Sequence, residues 1–256
     1  MPGATFAERL RNIERYGFDG VEARGYFLNK PEDLANYKAA LRDSPVKVST
    51  ICGGHPPEMV HPDPERRRVC IDTLKRHLDL AADLGAAGVI TVPIFNENDR
   101  LPDLWPWKSR AEAERELLLA VLGEIVPHAA GNGTAILLEP LNRYESDSLP
   151  NQEYGADVVR ELGGKGVRLM CDVFHMNLEE FDSAATIRAC ADVIGHVHLA
   201  DNTRKQPGSG SIDFRKIMGA LKDIDFTGYM AFECGRTGPP EEVFPRSVAY
   251  IRECMA

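Results

Sequence analysis

The sequence predicts an α/β fold, a TIM (β/α)8-type barrel whose first strand is missing from the N-terminus. Short β-branched runs alternate with longer amphipathic segments, which is the pattern of parallel strands joined by helical crossovers. The strands are almost continuously apolar, as expected for strands that are covered on both faces. The length of 256 residues is close to the usual size of one such barrel.

The first part of the chain contains elements with recognisable ends. Thr5 and Glu8 predict a capping box at the start of the first helix, and Pro31 occupies the first turn of another. Glycines follow two of the predicted elements, at Gly53 and Gly85. The predicted order is a helix over 5–16, a strand over 18–23, a helix over 31–42, a strand over 46–52, a helix over 62–84, a strand over 88–95, a helix over 109–128 and a strand over 134–140.

The alternation continues to the end of the chain without a linker, so residues 1–256 are predicted to form one domain. The turn at Gly208-Ser-Gly210 is interpreted as a loop, and the absence of a G-x-G-x-x-G or Walker A motif disfavours a doubly wound nucleotide-binding sheet. The remaining elements are a helix over 156–162, a strand over 167–172, a helix over 177–189, a strand over 193–199, a helix over 214–224, a strand over 228–234 and a helix over 241–253.

The strand count leaves the predicted barrel one wall strand short. Seven strands follow an initial helix, whereas a closed barrel of this type has eight. Either the first strand precedes Met1 or the barrel closes differently. We therefore expect an open seam between the last strand and the strand over 18–23, unless a neighbouring chain fills it. We also expect the candidate ligands described below to lie away from most of that seam.

Composition excludes several classes of function. The net charge of −9 argues against a nucleic-acid-binding protein, because such proteins carry an excess of basic residues on the binding surface. There is no run of 18 apolar residues to span a membrane, and residues 1–5 do not resemble a signal peptide. The six cysteines are scattered and form no C-x-x-C pair. They are therefore interpreted as reduced cysteines of a cytoplasmic protein.

Metal-competent side chains follow four consecutive strands. Glu139, Asp172, His198 and Glu233 each come at or just after the carboxyl end of a predicted strand. In this kind of barrel those ends share one face, where the functional groups collect. Two Glu, one Asp and one His suit Mn²⁺, Mg²⁺ or Co²⁺ better than a structural zinc. The competing interpretation is that each carboxylate pairs with a nearby Arg or Lys.

Other polar residues near these strand ends have two interpretations each. Glu145 could orient a substrate hydroxyl or pair with Arg143, and His175 could be a second ligand or a substrate donor. Arg204 suits a hydroxyl or an anion but could be a solvated loop residue. His196 is interpreted as structural, with its side chain facing away from His198.

Two further groups are expected near the barrel mouth. Trp105 and Trp107 could form a lid over an apolar or sugar face, or anchor an ordinary loop. His55 and His61 could line the pocket or lie on the surface.

The motifs carry a resemblance to a known family. The chain resembles the sugar phosphate isomerase/epimerase superfamily of xylose isomerase-like TIM barrels, and within it the ketose 3-epimerases that act on D-tagatose and D-psicose. The resemblance covers nearly the whole chain. It rests on Glu139-Pro-Leu-Asn-Arg-Tyr-Glu145, on Asp172-Val-Phe-His175 and on His196-Val-His198-Leu-Ala-Asp-Asn-Thr-Arg204.

The resemblance implies a site and a mechanism. Glu139, Asp172, His198 and Glu233 would bind a divalent metal, typically Mn²⁺, and Glu139 and Glu233 would be the catalytic acid/base pair. Substrate contacts are implied for three more residues, namely Glu145, His175 and Arg204. The implied reaction is α-proton abstraction next to a sugar carbonyl through a metal-stabilised enediolate, which inverts the centre.

The resemblance also implies partners and leaves the reaction outcome open. Related enzymes form dimers or tetramers, so a homo-oligomer acting on a small sugar is expected. Asp201 stands where the epimerases usually have Glu, and the loop from Lys205 to Asp213 is nearer the form seen in hydroxypyruvate and inosose-type enzymes. The alternative is a C-glycoside deglycosidase α-subunit, which would act on 3-keto glycosides together with a β-subunit. A further alternative is a hydroxypyruvate or inosose-type isomerase.

Two more distant alternatives are disfavoured by composition and by the ligand set. An endonuclease IV-type DNA-repair nuclease shares the fold but needs three zinc ions and many histidines. The seven histidines and the net charge of −9 argue against it. A degenerate barrel acting as a sugar-binding or regulatory subunit is disfavoured by the intact set of four ligands.

Overall fold

The computed structural model describes all 256 residues and contains one sheet of seven parallel strands. Each strand pairs with the next one along the chain, so the predicted fold class and strand number are confirmed. The strands are β1 (Gly20–Arg24), β2 (Lys47–Cys52), β3 (Gly88–Thr91), β4 (Ala135–Leu138), β5 (Val167–Asp172), β6 (Ile194–His198) and β7 (Met230–Ala231).

Helices alternate with the strands, and the first of them begins with the predicted cap. The capping box of Thr5 and Glu8 is present, and Ser109 and Glu112 form another. No helix combines the length and the apolar composition that spanning a bilayer requires. They are α1 (Phe6–Arg15), α2 (Gly25–Leu28), α3 (Pro31–Arg42), α4 (Pro64–Leu84), α5 (Arg110–Gly131), α6 (Gln152–Glu161), α7 (Val173–Glu179), α8 (Ser183–Ala189), α9 (Phe214–Asp223) and α10 (Pro240–Met255).

Alternate residues of the strands enter two different apolar clusters. Val89 and Ile136 belong to the large core of 45 buried residues, which also contains apolar residues of the helices. Their neighbours Ile90 and Leu137 form a small cluster with Met170. Because successive side chains of a strand point to opposite faces, the small cluster fills the barrel interior and the large one lies outside it.

Two predicted elements differ clearly from the structure, and one short helix was not predicted. The helix predicted over 177–189 is two helices, because Glu180 adopts an extended conformation and Asp182 caps α8 by accepting from the N–H groups of Ala184 and Ala185. The four-residue helix α2 was not predicted. The strand predicted over 228–234 is only two residues long, since β7 pairs with β6 through Met230 and Ala231 alone.

The predicted seam is confirmed, since β1 and β7 are the two edges of the sheet and do not pair with each other. A cavity of about 680 Å³ lies between them. Aromatic side chains partly bridge the gap: Phe18 meets Phe232 edge to face, with ring centroids 5.1 Å apart. At the amino end of β1, Arg252 of α10 donates to the Gly17 carbonyl at 2.7 Å. Side-chain contacts therefore replace strand pairing at this point of the wall.

Candidate metal centre and substrate site

The four residues predicted at the strand ends meet at one point of the barrel mouth. Glu139 directly follows β4, Asp172 ends β5, His198 ends β6, and Glu233 lies two residues beyond β7. One ligand atom from each residue can be chosen so that all four lie within 4.8 Å of one another. Glu139, Asp172 and His198 are buried, and Glu233 is mostly buried. The parallel topology has therefore assembled a compact acidic cluster around one imidazole.

The buried atoms of this cluster fit a divalent cation. Glu139 Oε1, Asp172 Oδ2 and His198 Nδ1 are buried without a hydrogen-bond partner. His198 Nδ1 lies 3.8 Å from Asp172 Oδ2 and 3.5 Å from Glu233 Oε2. Burying unpartnered polar groups and converging carboxylates is costly, and a cation would satisfy all of them at once. Three oxygen donors and one nitrogen donor suit Mn²⁺, Mg²⁺ or Co²⁺.

Pairing with Arg or Lys does not account for the cluster. Neither Glu139 nor Asp172 lies within ion-pair distance of a Lys or Arg, and their charged neighbours are histidines. Only Glu233 has such a partner, because Arg204 Nη2 lies 3.4 Å from its Oε2. The competing interpretation was that each carboxylate pairs with a Lys or Arg. It therefore applies to Glu233 at most.

The two glutamates of the cluster differ in proton affinity. Burial raises the pKa of Glu139 well above its ordinary value, and the neighbouring Asp172 and Glu233 carboxylates add to the increase. Burial also opposes ionisation of Glu233, but the neighbouring His198 imidazole, whose Nδ1 lies 3.5 Å from Glu233 Oε2, brings that pKa below its ordinary value. Proton transfer by two carboxyl groups requires one to hold a proton while the other does not.

His175 lies beside the cluster and is oriented by its neighbours. Its Nδ1 lies 2.7 Å from the side-chain nitrogen of Asn142 and also accepts from the Asn142 backbone N–H at 3.1 Å. The opposite ring nitrogen, Nε2, is 3.7 Å from Asp172 and 4.0 Å from Glu139 and has no hydrogen-bond partner. A neutral ring that accepts at Nδ1 carries its proton on Nε2, so His175 presents a donor to the centre. This favours the predicted role of substrate donor over that of a second ligand.

Glu145 and Arg204 lie together at the rim of the site. Arg204 Nη1 donates to Glu145 Oε1 at 2.7 Å, and the guanidinium carbon lies 4.8 Å from the ring centroid of Phe174. The alternative pairing of Glu145 with Arg143 is wrong, because Arg143 instead donates to Glu179. Arg204 is therefore held in the site by two carboxylates and an aromatic face and is not a solvated loop residue.

The loop that carries Arg204 is organised by Asp201. This buried carboxylate accepts from the backbone N–H groups of Gly208, Gly210 and Ile212. Arg204 itself has φ = 54°, in the left-handed region that non-glycine residues rarely adopt. Its N–H donates to the Asp201 carbonyl and its carbonyl accepts from the Gly235 N–H. The surrounding hydrogen bonds thus hold the Arg204 backbone in a strained conformation that directs the side chain to the site.

Glu22 of β1 was not identified as a site residue. Its Oε1 lies 2.9 Å from His198 Nε2, and its side chain is 11% exposed. A carboxylate between the apolar residues Val21 and Ala23 of the strand was the available signal. The expectation that His196 faces away from His198 is wrong: residues two apart in a strand share a face, and His196 Nε2 lies 3.5 Å from the same Glu22 oxygen.

The ligand set is also closer to the seam than expected. Glu233 and Glu22 both line the cavity between β1 and β7. The expectation that the ligands lie away from most of the seam is therefore wrong for Glu233, because β7, the strand before it, forms one edge of the sheet.

The other predicted mouth residues differ in exposure. His61 is buried and its Nδ1 accepts from the Asp63 N–H, so it is not a surface residue. His55 is half-buried, with Nε2 2.9 Å from Thr91 Oγ1 at the end of β3. Trp105 and Trp107 are each 77% exposed. Their proposed action as a lid stays a prediction.

Comparisons with known proteins agree with this architecture. A sequence model of the xylose isomerase-like TIM barrel family matches residues 10–254. A 3-dehydro-D-guloside 4-epimerase of Escherichia coli K12 is 32% identical over 249 residues, covering 96% of this chain and 94% of that protein. A D-psicose 3-epimerase of Agrobacterium fabrum is 26% identical over 237 residues, covering 90% of this chain and 79% of that protein.

Solved structures show the same fold. The crystal structure of a 3-keto-D-glucoside 4-epimerase from E. coli, in its apo form, superposes with a TM-score of 0.88 at 31% identity and covers 98% of this chain and 95% of that one. The fold is also that of a D-psicose 3-epimerase from Clostridium cellulolyticum H10 solved with D-tagatose, with a TM-score of 0.86 at 21% identity, over 99% of this chain and 94% of that one. Because the family match spans nearly the whole sequence, the chain belongs to the xylose isomerase-like TIM barrel family.

Proposed function

We propose that this protein is a divalent-metal-dependent sugar epimerase that inverts a carbon next to a carbonyl by removing and returning its α-proton. The observation that carries the proposal is the convergence of Glu139, Asp172, His198 and Glu233, with ligand atoms within 4.8 Å of one another and several of them unpartnered. Relatives named as sugar epimerases match nearly the full chain, which supports the same class of reaction.

The chain's own residues provide the proton transfers. Glu139 and Glu233 come from opposite sides of the cluster in sheet order, after β4 and β7. One would take the α-proton from one face of the sugar carbon and the other would return a proton to the opposite face, which inverts the centre. A bound divalent cation, for which we favour Mn²⁺, would supply positive charge to stabilise the negative charge that develops on the substrate oxygens.

The remaining residues would orient the sugar. Arg204 and Glu145 lie at the rim, where a guanidinium donor and a carboxylate acceptor can bind neighbouring hydroxyl groups. His175 can donate to a substrate oxygen through its free Nε2, because its Nδ1 already accepts from the Asn142 N–H. Fixing the ring in this way would align the α-carbon with both glutamates, and alignment is a large part of the rate gain in such reactions.

Two substrate classes follow from the relatives, free ketoses and keto glycosides. We favour a keto glycoside, because the relative named as a 3-dehydro-D-guloside 4-epimerase is matched over 94% of its length, against 79% for the D-psicose 3-epimerase. A ketose 3-epimerase is the second candidate and is favoured by the Glu139–Glu145, Asp172–His175 and His198–Arg204 spacings.

Deuterium exchange tests the proposal. The Mn²⁺-loaded protein would be incubated in D2O with D-psicose, D-tagatose and a 3-keto-D-glucoside, and the products followed by NMR. We expect deuterium at the carbon next to the ketone of the epimerised product, and no exchange with the Glu233→Gln variant. Absence of exchange with every substrate, or exchange retained in Glu233→Gln, would overturn the assignment. Loss of the aglycone instead of epimerisation would indicate a deglycosidase.

A further inference from the structure

Glu22 connects β1 to the candidate metal ligand on β6. Its Oε1 lies 2.9 Å from His198 Nε2, between residues 176 positions apart in the sequence. The same oxygen accepts a hydrogen bond from Thr50 Oγ1 of β2 at 2.7 Å. The Glu22 side chain is 11% exposed and His198 is fully buried. The contact is therefore a short, well-enclosed interaction across the barrel interior.

This contact determines which nitrogen of His198 faces the cluster. A neutral imidazole carries a proton on one ring nitrogen only. When Nε2 donates its hydrogen to Glu22, Nδ1 has a free lone pair, and Nδ1 is the atom that lies 3.8 Å from Asp172 and 3.5 Å from Glu233 without a hydrogen-bond partner. A carboxylate on the far nitrogen of a metal-binding histidine holds the ring and strengthens its basicity.

We propose that Glu22 is a positioning residue that holds His198 with its Nδ1 lone pair directed at the metal centre. The inference rests on the proposed metal site and deepens it. A geometric alternative is a second cation held by Glu22, His196 and His198, whose ligand atoms also lie within 4.8 Å of one another. A neutral His198 has only one lone pair, so its Nδ1 and Nε2 cannot bind two cations at once. The Glu22 oxygen also already accepts from Thr50.

Mn²⁺ affinity, measured by EPR titration, tests the proposal. We expect Glu22→Ala to weaken Mn²⁺ binding by about 10- to 100-fold, as is usual when such a supporting carboxylate is lost. Glu22→Gln should lose less, because an amide oxygen still accepts from Nε2–H but carries no charge. The matched control is Asp79→Asn, which alters another carboxylate–histidine contact, Asp79 Oδ1 to His128 Nε2 at 2.7 Å, between α4 and α5. It should change the Mn²⁺ affinity by less than twofold.

A second measurement separates positioning from a general effect on folding. ¹⁵N NMR of the Mg²⁺-saturated wild type should show the His198 proton on Nε2. If Glu22→Ala does not fold, Glu22→Gln is measured in its place and should also carry the His198 proton on Nε2. A proton on Nδ1 in the wild type, a folded Glu22→Ala with Mn²⁺ affinity within twofold of wild type, or two Mn²⁺ ions bound per chain would overturn the proposal.

One further variant distinguishes this failure from failure of the proposed function. Asp172→Asn removes the negative charge of a predicted ligand of the centre itself. If Asp172→Asn leaves Mn²⁺ binding unchanged, the metal site and the proposals that rest on it fail together. If Asp172→Asn abolishes binding while Glu22→Ala does not reduce it, only the role of Glu22 is wrong.

Discussion

Arg204 and Glu145 form an ion pair at the mouth of the barrel, with Nη1 of the guanidinium 2.7 Å from Oε1 of the carboxylate. The same guanidinium reaches Glu233 through Nη2 at 3.4 Å. Arg204 therefore connects a residue at the rim to a candidate ligand of the metal centre. A planar group with donors on both arms can do this, whereas a single ammonium cannot reproduce both contacts.

We expect Arg204→Lys to lower kcat/KM by about 10- to 100-fold, because losing a hydrogen bond to a charged group costs about 1.5–3 kcal/mol. Steady-state kinetics on the substrate found by the exchange experiment would measure the effect. Arg143→Lys is the matched control, since Arg143 pairs with Glu179 and not with a residue of the cluster. Equal kcat/KM for Arg204→Lys and the wild type would contradict a role for Arg204 in the site.

Metal removal should destabilise the protein. A cation that binds only the folded state adds about 2.7 kcal/mol to the free energy of unfolding when its free concentration is 100 times Kd. We therefore expect Mn²⁺ to raise the melting temperature of the wild type and EDTA to reverse the increase, as followed by circular dichroism. The increase should be absent in Asp172→Asn and present in Asp79→Asn. A rise of the same size in Asp172→Asn would place the ion elsewhere.

Acid should weaken the fold through His77. This histidine is fully buried, its Nε2 lies 2.8 Å from Asn29 Oδ1, and burial lowers its pKa to about 4. His77 binds a proton near pH 6.5 in the unfolded chain but only near pH 4 in the folded protein. The contribution of His77 to the free energy of unfolding is therefore fully present above about pH 6.5 and is lost as the pH falls towards 4.

Urea unfolding at pH 7 and pH 4.5 measures this contribution. Between those values the free energy of unfolding should fall by about 2 kcal/mol less in His77→Gln than in the wild type, from the difference between the two pKa values. The comparison of variant with wild type cancels the contributions of the other titrating groups. The same pH dependence in both proteins would contradict the prediction, because it would show that His77 binds its proton at the same pH in the folded and unfolded states.

The aromatic contact across the seam should contribute to stability. Phe18 and Phe232 meet at 5.1 Å between ring centroids with an interplanar angle of 90°. A double-mutant cycle of Phe18→Leu and Phe232→Leu should give a coupling free energy of about 0.5–1.5 kcal/mol in urea unfolding. Phe18→Leu combined with Phe214→Leu is the control and should be additive, because Phe214 packs with Tyr250 instead. Additivity of the Phe18 and Phe232 changes would show that the pair does not bridge the seam.

Much of the candidate site could be predicted from periodicity alone. In a parallel barrel, the carboxyl ends of all strands lie at one face, so locating the strand ends was enough to bring Glu139, Asp172, His198 and Glu233 together. The seam was predictable in the same way, by counting strands. These features depend on the order of elements along the chain and on the geometry of a parallel sheet, and both can be recognised without coordinates.

Contacts between distant residues could not be predicted in this way. The choice of Arg204 instead of Arg143 as the partner of Glu145, and the contact of Glu22 with His198 across 176 positions, depend on strand register and on how the barrel curves. The break between α7 and α8 depends on Asp182 capping a second helix. Hydrophobic periodicity specifies which face of an element is buried but not which side chain it meets, so packing of the whole chain determines these pairs.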